Sequence, residues 1–196
     1  RFPDVTITFT EAEPPESLAA LRSGDCDLAV AFSYEGTDVG RGEESLDGFV
    51  TTHLLDDEVR LAVSQDHRVA HESRVALKDL TEETWVAGCP RCRGHLVQLC
   101  QSAGFAPHVA YETEDYVAVM GLVSESLGVA LIPDLILRTV HHAQVVALPM
   151  TPASRRSIVA VTTPDLMRVP AVTAMMDALT ESSAALPQTP TCTATT

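Results

Sequence analysis

The sequence lacks the features that would place the chain in or across a membrane. No run of 18 apolar residues occurs among its 196 residues, whereas a membrane-spanning helix needs about 20. The first residues, Arg1-Phe2-Pro3-Asp4, lack the basic, apolar and small-residue zones of a signal peptide. No membrane span is therefore predicted, and the expected cytoplasmic location rests on the cysteine usage instead. The start on arginine rather than methionine indicates a piece of a longer protein.

Positive charge is scarce. The chain carries 13 lysines and arginines against 27 aspartates and glutamates, for a formal net charge of −14. A surface that neutralises DNA phosphates needs an excess of basic side chains. This charge therefore argues against direct nucleic-acid binding by the chain itself and indicates a soluble surface.

Enzyme motifs and a disulfide framework are also missing. The sequence has no G-x-S-x-G elbow, no P-loop and no H-E-x-x-H pair, so neither catalysis nor a cofactor is predicted. Five cysteines are an odd number, and a chain of this length can build a core without disulfides. Cysteine usage therefore favours a reducing compartment.

The most regular stretch, residues 112–133, predicts a helix that leads into a strand. Thr113 is the predicted N-cap, and Gly128 is predicted to close the helix in the left-handed conformation. Residues 129–132 form an unbroken apolar run that Pro133 ends, as expected of a strand covered on both faces. The predicted buried helical face consists of Tyr116, Val119, Met120, Val123 and Leu127.

Elements of the same kinds are predicted on either side. Alternating apolar and threonine residues over 5–9 predict a strand, Gly24 ends a short helix that buries Leu18 and Leu21, and residues 28–32 form a second strand. Together these elements predict a right-handed βαβ unit over 5–32. Further elements are two strands within 49–64 broken at Asp56-Asp57, a helical turn at 77–80, strands at 85–87, 107–111, 145–148 and 157–161, and helices over 93–103 and after Pro170.

Three segments together resemble a known family. An apolar helix followed by Ser126-Leu127-Gly128-Val129-Ala130-Leu131-Ile132-Pro133, with Phe2-Pro3-Asp4-Val5 and the segment 18–30, is similar to the effector-binding domain of LysR-type transcriptional regulators. The resemblance covers residues 1–180. It implies an α/β fold of two Rossmann-like lobes with mixed, mainly parallel sheets joined by two crossover strands, as in type 2 periplasmic-binding proteins.

The same resemblance implies the organisation of the chain. Lobe I would comprise residues 1–62 and 163–186, and lobe II residues 63–162. The last ten residues, 187–196, lack the apolar side chains that a core needs and are predicted to be disordered. Family members carry a winged helix-turn-helix ahead of this domain and pair as dimers or tetramers, so DNA would be bound only through that other domain.

Three predicted helix starts are candidate ligand sites, because helix N-termini after parallel strands bind anions. They lie at 13–17, 89–94 and 112–115. Residues 84–111 contain no aspartate or glutamate but include Arg91, Arg93, His95 and His108. This basic segment predicts an anion site in which an arginine grips a carboxylate. Alternatively, Arg91 and Arg93 pair with carboxylates on the surface of their own lobe.

The resemblance places a small metabolite, anionic or zwitterionic, in a cleft between the two lobes. The predicted contacts are Glu13, Ser17 and Ser33 on one wall, and Arg91, Cys92, Arg93 and Thr113 on the other. An acidic wall with Glu11, Glu13 and Glu16 opposite a basic one would suit a zwitterion. Binding would shift the conformation of the oligomer and thereby control transcription.

The cysteines leave alternatives open. Cys89 and Cys92 have the spacing of a redox pair at a helix start. With His95 and Cys100 they also supply four zinc ligands, but in a helix the last two would point about 140° apart, so no metal is predicted. The default interpretation is that Cys92 lines a pocket and Cys100 packs in the core. A thiol-based sensor and a solute-binding protein of a transporter are the alternative functions.

Overall fold

The computed structural model describes residues 2–34 and 45–186. The predicted disorder of 187–196 lies outside these residues. No helix within them is long and apolar enough to cross a bilayer. The helices are α1 Pro14–Ser23, α2 Pro90–Ser102, α3 Tyr116–Ser124, α4 Asp134–Leu137 and α5 Pro170–Ala185. The strands are β1 Ala29–Tyr34, β2 Val50–Ser64, β3 Val75–Ala76, β4 Thr84–Ala87, β5 His108–Glu112, β6 Val129–Pro133, β7 Val145–Leu148, β8 Met150–Thr151 and β9 Ser154–Thr162.

The described residues form two compact units. Unit 1 contains those up to Asp56 and from Arg156 onward, and unit 2 is Asp57–Arg155. Two long strands, β2 and β9, contain residues of both units. β2 runs without interruption for 15 residues, so the predicted break at Asp56-Asp57 is wrong. Neighbouring strands pair in the order β1-β9-β2-β6-β4-β5, with β7 also on β2.

Unit 1 is built on an antiparallel pair of strands covered by α1. β1 pairs with β9 from Ala29 opposite Val161 to Tyr34 opposite Arg156. Leu18 and Leu21 of α1 are buried against Ala29, Ala31 and Val161. As predicted, Gly24 ends α1: its φ of 80° is the left-handed conformation that glycine adopts without a steric penalty.

The predicted strand over residues 5–9 does not form, so the predicted βαβ unit is wrong as well. The segment is neither helix nor strand, and Ile7 and Phe9 are 68% and 88% exposed. An alternating pattern yields a stable strand only where one face is covered and a neighbour completes the hydrogen-bond ladder. In the structure the described pairing of β1 is with β9, and residues 5–9 find neither of these supports.

Unit 2 contains a mixed sheet in the order β7-β2-β6-β4-β5. β4 pairs in parallel with β5 and β6, while β2 pairs antiparallel with β6 and β7. Strands β3 and β8 form a separate parallel pair. The predicted helical turn is a 3-10 helix, Leu77–Leu80, whose two leucines are fully buried. This mixed α/β architecture confirms the predicted fold class.

The α3–β6 segment has the predicted elements but different ends. Val119, Met120 and Val123 are buried, whereas Leu127 is 44% exposed because α3 already ends at Ser124. The N-cap is Asp115, not Thr113. The residue in the left-handed conformation is Ser126, with φ 58°, not Gly128. All three differences arise at the ends of the helix, where sequence periodicity carries least information.

Gly128 has a different role, which is to let two strands approach. A Cβ at this position would lie 2.9 Å from the Thr84 carbonyl oxygen and 3.2 Å from Cγ2 of Val86, both on β4. The next residue, Val129, pairs with Trp85 in the parallel ladder between β6 and β4. A side chain at Gly128 therefore has to push the two strands apart.

We expect Gly128→Ala to lower the free energy of unfolding by about 2 kcal/mol, because overpacking against backbone forces the strands to shift. Urea unfolding followed by far-UV circular dichroism measures the change. Gly121→Ala is the matched control. Gly121 lies within α3 and a Cβ there would meet nothing within 4 Å, so alanine should stabilise the protein by about 0.5–1 kcal/mol. Equal effects of the two substitutions would contradict the steric role of Gly128.

Candidate functional site

Parallel pairing of β4 and β5 brings two of the predicted helix starts to one end of the sheet. Ala87 at the end of β4 lies opposite Glu112 at the end of β5. The Thr113 amide also donates to the Ala87 carbonyl oxygen at 3.1 Å. Because α2 follows β4 and α3 follows β5, both helices begin at the carboxyl edge of these strands. This is the edge at which α/β sheets bind ligands.

The start of α2 is fixed by its own residues. Pro90 is the first helical residue, a position where a missing N–H costs no helical hydrogen bond. Cys89 is the N-cap: its Sγ accepts from the Cys92 amide at 3.3 Å, and its carbonyl oxygen accepts from the Arg93 amide at 2.8 Å. The thiol of Cys89 thus performs the capping role that serine or aspartate usually fills.

The two cysteine side chains of the C-x-x-C motif meet at this helix start. Their Sγ atoms are 2.9 Å apart. Cys89 is 8% exposed, and Cys92 is half-buried. Gly88, which sequence reasoning overlooked, passes close by: a Cβ there would lie 3.2 Å from the Cβ of Cys92. Its position immediately before a C-x-x-C motif was the available signal.

Electrostatics favour an anion at the start of α2. The first turn contains no acidic residue but carries Arg91, which is half-buried, and Arg93, which is exposed. The positive end of the helix dipole adds to these charges. Arg93 Nε donates to Glu112 Oε1 at 2.8 Å, with the two side chains 48% and 56% exposed. Arg93 therefore pairs with a carboxylate of its own unit, as the alternative prediction for this arginine stated.

The start of α3 has the opposite character. Asp115 Oδ1 accepts from the Val117 amide at 2.8 Å, and Thr113 Oγ1 accepts from the Asp115 amide at 3.2 Å. Side chains at this helix start therefore already accept hydrogen bonds from two of its backbone amides. Glu114 adds a further negative charge. An anion is disfavoured here, whereas an ammonium group would be attracted.

Two buried groups lie further along α2. His95 Nε2 is 2.6 Å from Ser154 Oγ, both residues are 5% exposed, and burial lowers the pKa of His95 to about 4. Cys100 is fully buried, as predicted, and burial raises its pKa to about 12. Within residues 2–34 and 45–186, no three histidine, cysteine or acidic side chains are placed to hold a metal ion.

The remaining predicted contacts lie in unit 1. Glu13 precedes α1, Ser17 Oγ donates to the Pro14 carbonyl oxygen at 3.1 Å, and Ser33 pairs with Ser157 in the β1–β9 ladder. The structure therefore brings together Arg91, Cys92, Arg93 and Thr113 in unit 2, at the carboxyl edge of β4 and β5.

Sequence reasoning also overlooked a buried cation in unit 1. Arg156 is 8% exposed, and its guanidinium carbon lies 5.0 Å from the centre of the Phe32 ring. A cation over an aromatic face is stabilised by the ring quadrupole. The sequence signal that could have revealed this buried arginine is the two-residue alternation along β9. Arg156 lies on the same buried face of that strand as Ile158 and Ala160.

Comparisons with known proteins agree on one family. Residues 1–184 match the model of the LysR substrate binding domain. The chain is similar to the transcriptional dual regulator GltC of Bacillus subtilis, with 29% identity over 136 residues, 68% of this chain and 42% of that protein. It spans about half the length of the curated relatives it matches, or less.

Two solved structures have the same fold. The C-terminal domain of a probable LysR family regulator from Rhodococcus sp. RHA1 superposes with a TM-score of 0.73 at 22% identity, covering 91% of this chain and 86% of that one. The CcmR regulatory domain of Synechocystis PCC6803, in complex with 2-PG, gives 0.77 at 12% identity, covering 95% and 88%. At these identities the likeness shows the fold alone. The family-model match, which spans nearly the whole chain, shows that the chain belongs to the LysR substrate-binding domain family.

Proposed function

We propose that this chain is the effector-sensing domain of a transcription regulator and that it binds a small anionic or zwitterionic metabolite at the start of α2. The observation that carries the proposal is the parallel register that sets Ala87 opposite Glu112. This register gathers an acid-free helix start, two arginines and Thr113 at one edge of the sheet.

A carboxylate or phosphate ligand would compete with Glu112 for Arg93. The pair is about half exposed on both sides, and exposed ion pairs contribute only about 0–1 kcal/mol. Glu112 can therefore be displaced at little cost by an anion that also meets Arg91 and the helix dipole. The displaced Glu112, with Glu114 and Asp115 nearby in sequence, would then favour a ligand that carries an ammonium group as well.

Signal transmission would follow from differential affinity. A ligand that binds one conformation of the domain more tightly shifts the population towards it, by no more than that difference in binding free energy. In the complete protein we expect a helix-turn-helix domain to contact DNA. We expect a dimer or tetramer to transmit the conformational change to that domain, and the protein to be located in the cytoplasm. The matched relatives carry names of transcription regulators, which favours this proposal over a transporter's solute-binding protein. A signal peptide encoded upstream, in place of a helix-turn-helix, would favour the transporter.

Calorimetry and thermal shift with simple carboxylates, phosphates, amines and amino acids test the ligand class. We expect an anion or an amino acid to bind, and Arg91→Gln and Arg93→Gln each to weaken binding about tenfold or more, because charge-assisted hydrogen bonds contribute about 1.5–3 kcal/mol. Arg68→Gln is the matched control, since Arg68 is also an exposed arginine paired with a glutamate of unit 2, Glu83. Unchanged affinity in both α2 variants would refute the site, and binding by simple anions alone would refute the zwitterion.

A further inference from the structure

The C-x-x-C motif at the start of α2 places two thiols in contact without any rearrangement. The Sγ atoms of Cys89 and Cys92 are 2.9 Å apart, and the Cys92 amide donates to the Cys89 sulfur. A disulfide bond is about 2.05 Å long, so bond formation requires the two sulfur atoms to approach by roughly 0.9 Å. This short approach makes the pair a candidate for reversible oxidation.

We propose that Cys89 and Cys92 form a disulfide reversibly when the protein meets a hydroperoxide, and that this dithiol is a modification site of the domain. Three features of the helix start support it. The thiols are in contact. The first turn of α2 has two arginines and no acid, and a basic helix N-terminus favours the thiolate, which is the reacting form. Cys92 is also partly exposed, so that an oxidant reaches it.

The reaction balances with a hydroperoxide as the oxidant. The Cys92 thiolate attacks the outer peroxide oxygen, the O–O bond breaks, and the leaving oxygen takes a proton to become an alcohol, or water if the oxidant is hydrogen peroxide. Cys92 is then a sulfenic acid. The Cys89 sulfur attacks the Cys92 sulfur, hydroxide leaves and takes the proton of the Cys89 thiol, and an S–S bond and water result. Two electrons pass from the two sulfurs to the peroxide, and a dithiol reductant reverses the change.

Other cysteines in the described part of the chain are poor competitors. Cys100 is fully buried with its pKa raised to about 12 by burial, so it stays a thiol near neutral pH. The Cys26 thiol already donates to the Leu28 carbonyl oxygen at 3.0 Å. Cys192 is outside the described residues.

Trypsin provides a direct assay because Arg91 lies between the two cysteines. The reduced protein is treated with hydrogen peroxide, remaining thiols are alkylated, and the unfolded chain is digested without reduction. Cleavage after Lys78, Arg91 and Arg93 releases peptides 79–91 and 92–93, which stay joined only if the disulfide formed. We expect the joined pair after peroxide, its loss after dithiothreitol, and unchanged far-UV circular dichroism.

Variants and denaturant separate the native geometry from mere spacing in sequence. Cys89→Ser and Cys92→Ser should abolish the joined peptides, and Cys100→Ser should leave them unchanged. The disulfide should form at least about tenfold faster in the native protein than in urea. The folded chain holds the two sulfur atoms in contact, whereas in urea the flexible chain must first bring them together. Equal rates, Cys89 and Cys92 that both remain alkylatable after peroxide, or linkage of Cys92 to Cys100 would each overturn the proposal. None of these results depends on an effector, so the disulfide and the proposed ligand site can fail separately.

Discussion

Trp85→Ala is expected to lower the free energy of unfolding by about 4 kcal/mol, since removing a buried aromatic ring loses its transfer free energy and leaves a cavity. Trp85 is fully buried on β4 and belongs to a core cluster that includes Leu61, Leu77, Leu80 and Leu96. These leucines come from β2, the 3-10 helix and α2, so the cluster packs three further elements of unit 2 with β4. Urea unfolding by far-UV circular dichroism measures the loss without relying on the fluorescence of this single tryptophan.

Trp85→Phe separates packing from hydrogen bonding. The indole nitrogen is buried and has no hydrogen-bond partner among the described residues. Phenylalanine keeps most of the apolar volume and removes that unsatisfied donor, so its cost should be about 1.5 kcal/mol, less than half that of alanine. If phenylalanine proves as damaging as alanine, the indole N–H makes an important hydrogen bond and cavity formation is not the main effect.

Elements with strong local signals could be predicted from the sequence, but their ends could not. The apolar periodicity of α3 and the run Val129–Pro133 correctly identified a helix and a buried strand. The helix ends one turn earlier than expected because the chain turns at Ser126, which leaves Leu127 exposed. The sequence pattern predicts a left-handed conformation at Gly128. In the structure the constraint on this residue is steric, because a side chain there would meet the Thr84 carbonyl of another strand. Such a contact between distant residues leaves no local pattern.

In the N-terminal segment, a clear local pattern predicts a strand that does not form. Val5, Ile7 and Phe9 alternate with threonines as strand residues do, yet they are exposed and form no strand. Alternation indicates compatibility with a sheet, whereas a strand forms only if pairing and burial offset the entropy of ordering the chain. Both conditions depend on other parts of the chain and cannot be predicted from residues 5–9 alone.

The candidate site was predictable in composition but not in geometry. The acid-free stretch around Arg91 and the C-x-x-C spacing were visible in the sequence. The pairing of Arg93 with Glu112 depends on the register between β4 and β5, which shifts between Trp85 and Val86. The 2.9 Å contact between Cys89 and Cys92 depends on where α2 begins. Both are consequences of tertiary structure.

The second large expected effect is a loss of stability in acid caused by His95. Burial lowers the pKa of His95 from 6.5 to about 4 in the folded protein. Since the folded pKa lies below the unfolded one, folding favours the neutral imidazole. The stabilisation is therefore complete above pH 6.5 and is lost as the pH falls towards 4. At about 1.4 kcal/mol for each pKa unit, the loss is on the order of 3 kcal/mol.

His95→Gln removes the titration while keeping a polar side chain near Ser154. Free energies of unfolding measured at several pH values between 7 and 4 should fall more steeply for the natural protein than for this variant, by on the order of 3 kcal/mol over the range. His108→Gln is the control for the loss of a histidine side chain, because His108 is exposed on β5. The difference between the two slopes isolates His95 from the many carboxylates that also titrate in acid. Parallel curves for the natural protein and His95→Gln would mean that the folded protein accommodates a charged His95, and that the contact with Ser154 is as favourable for imidazolium as for imidazole.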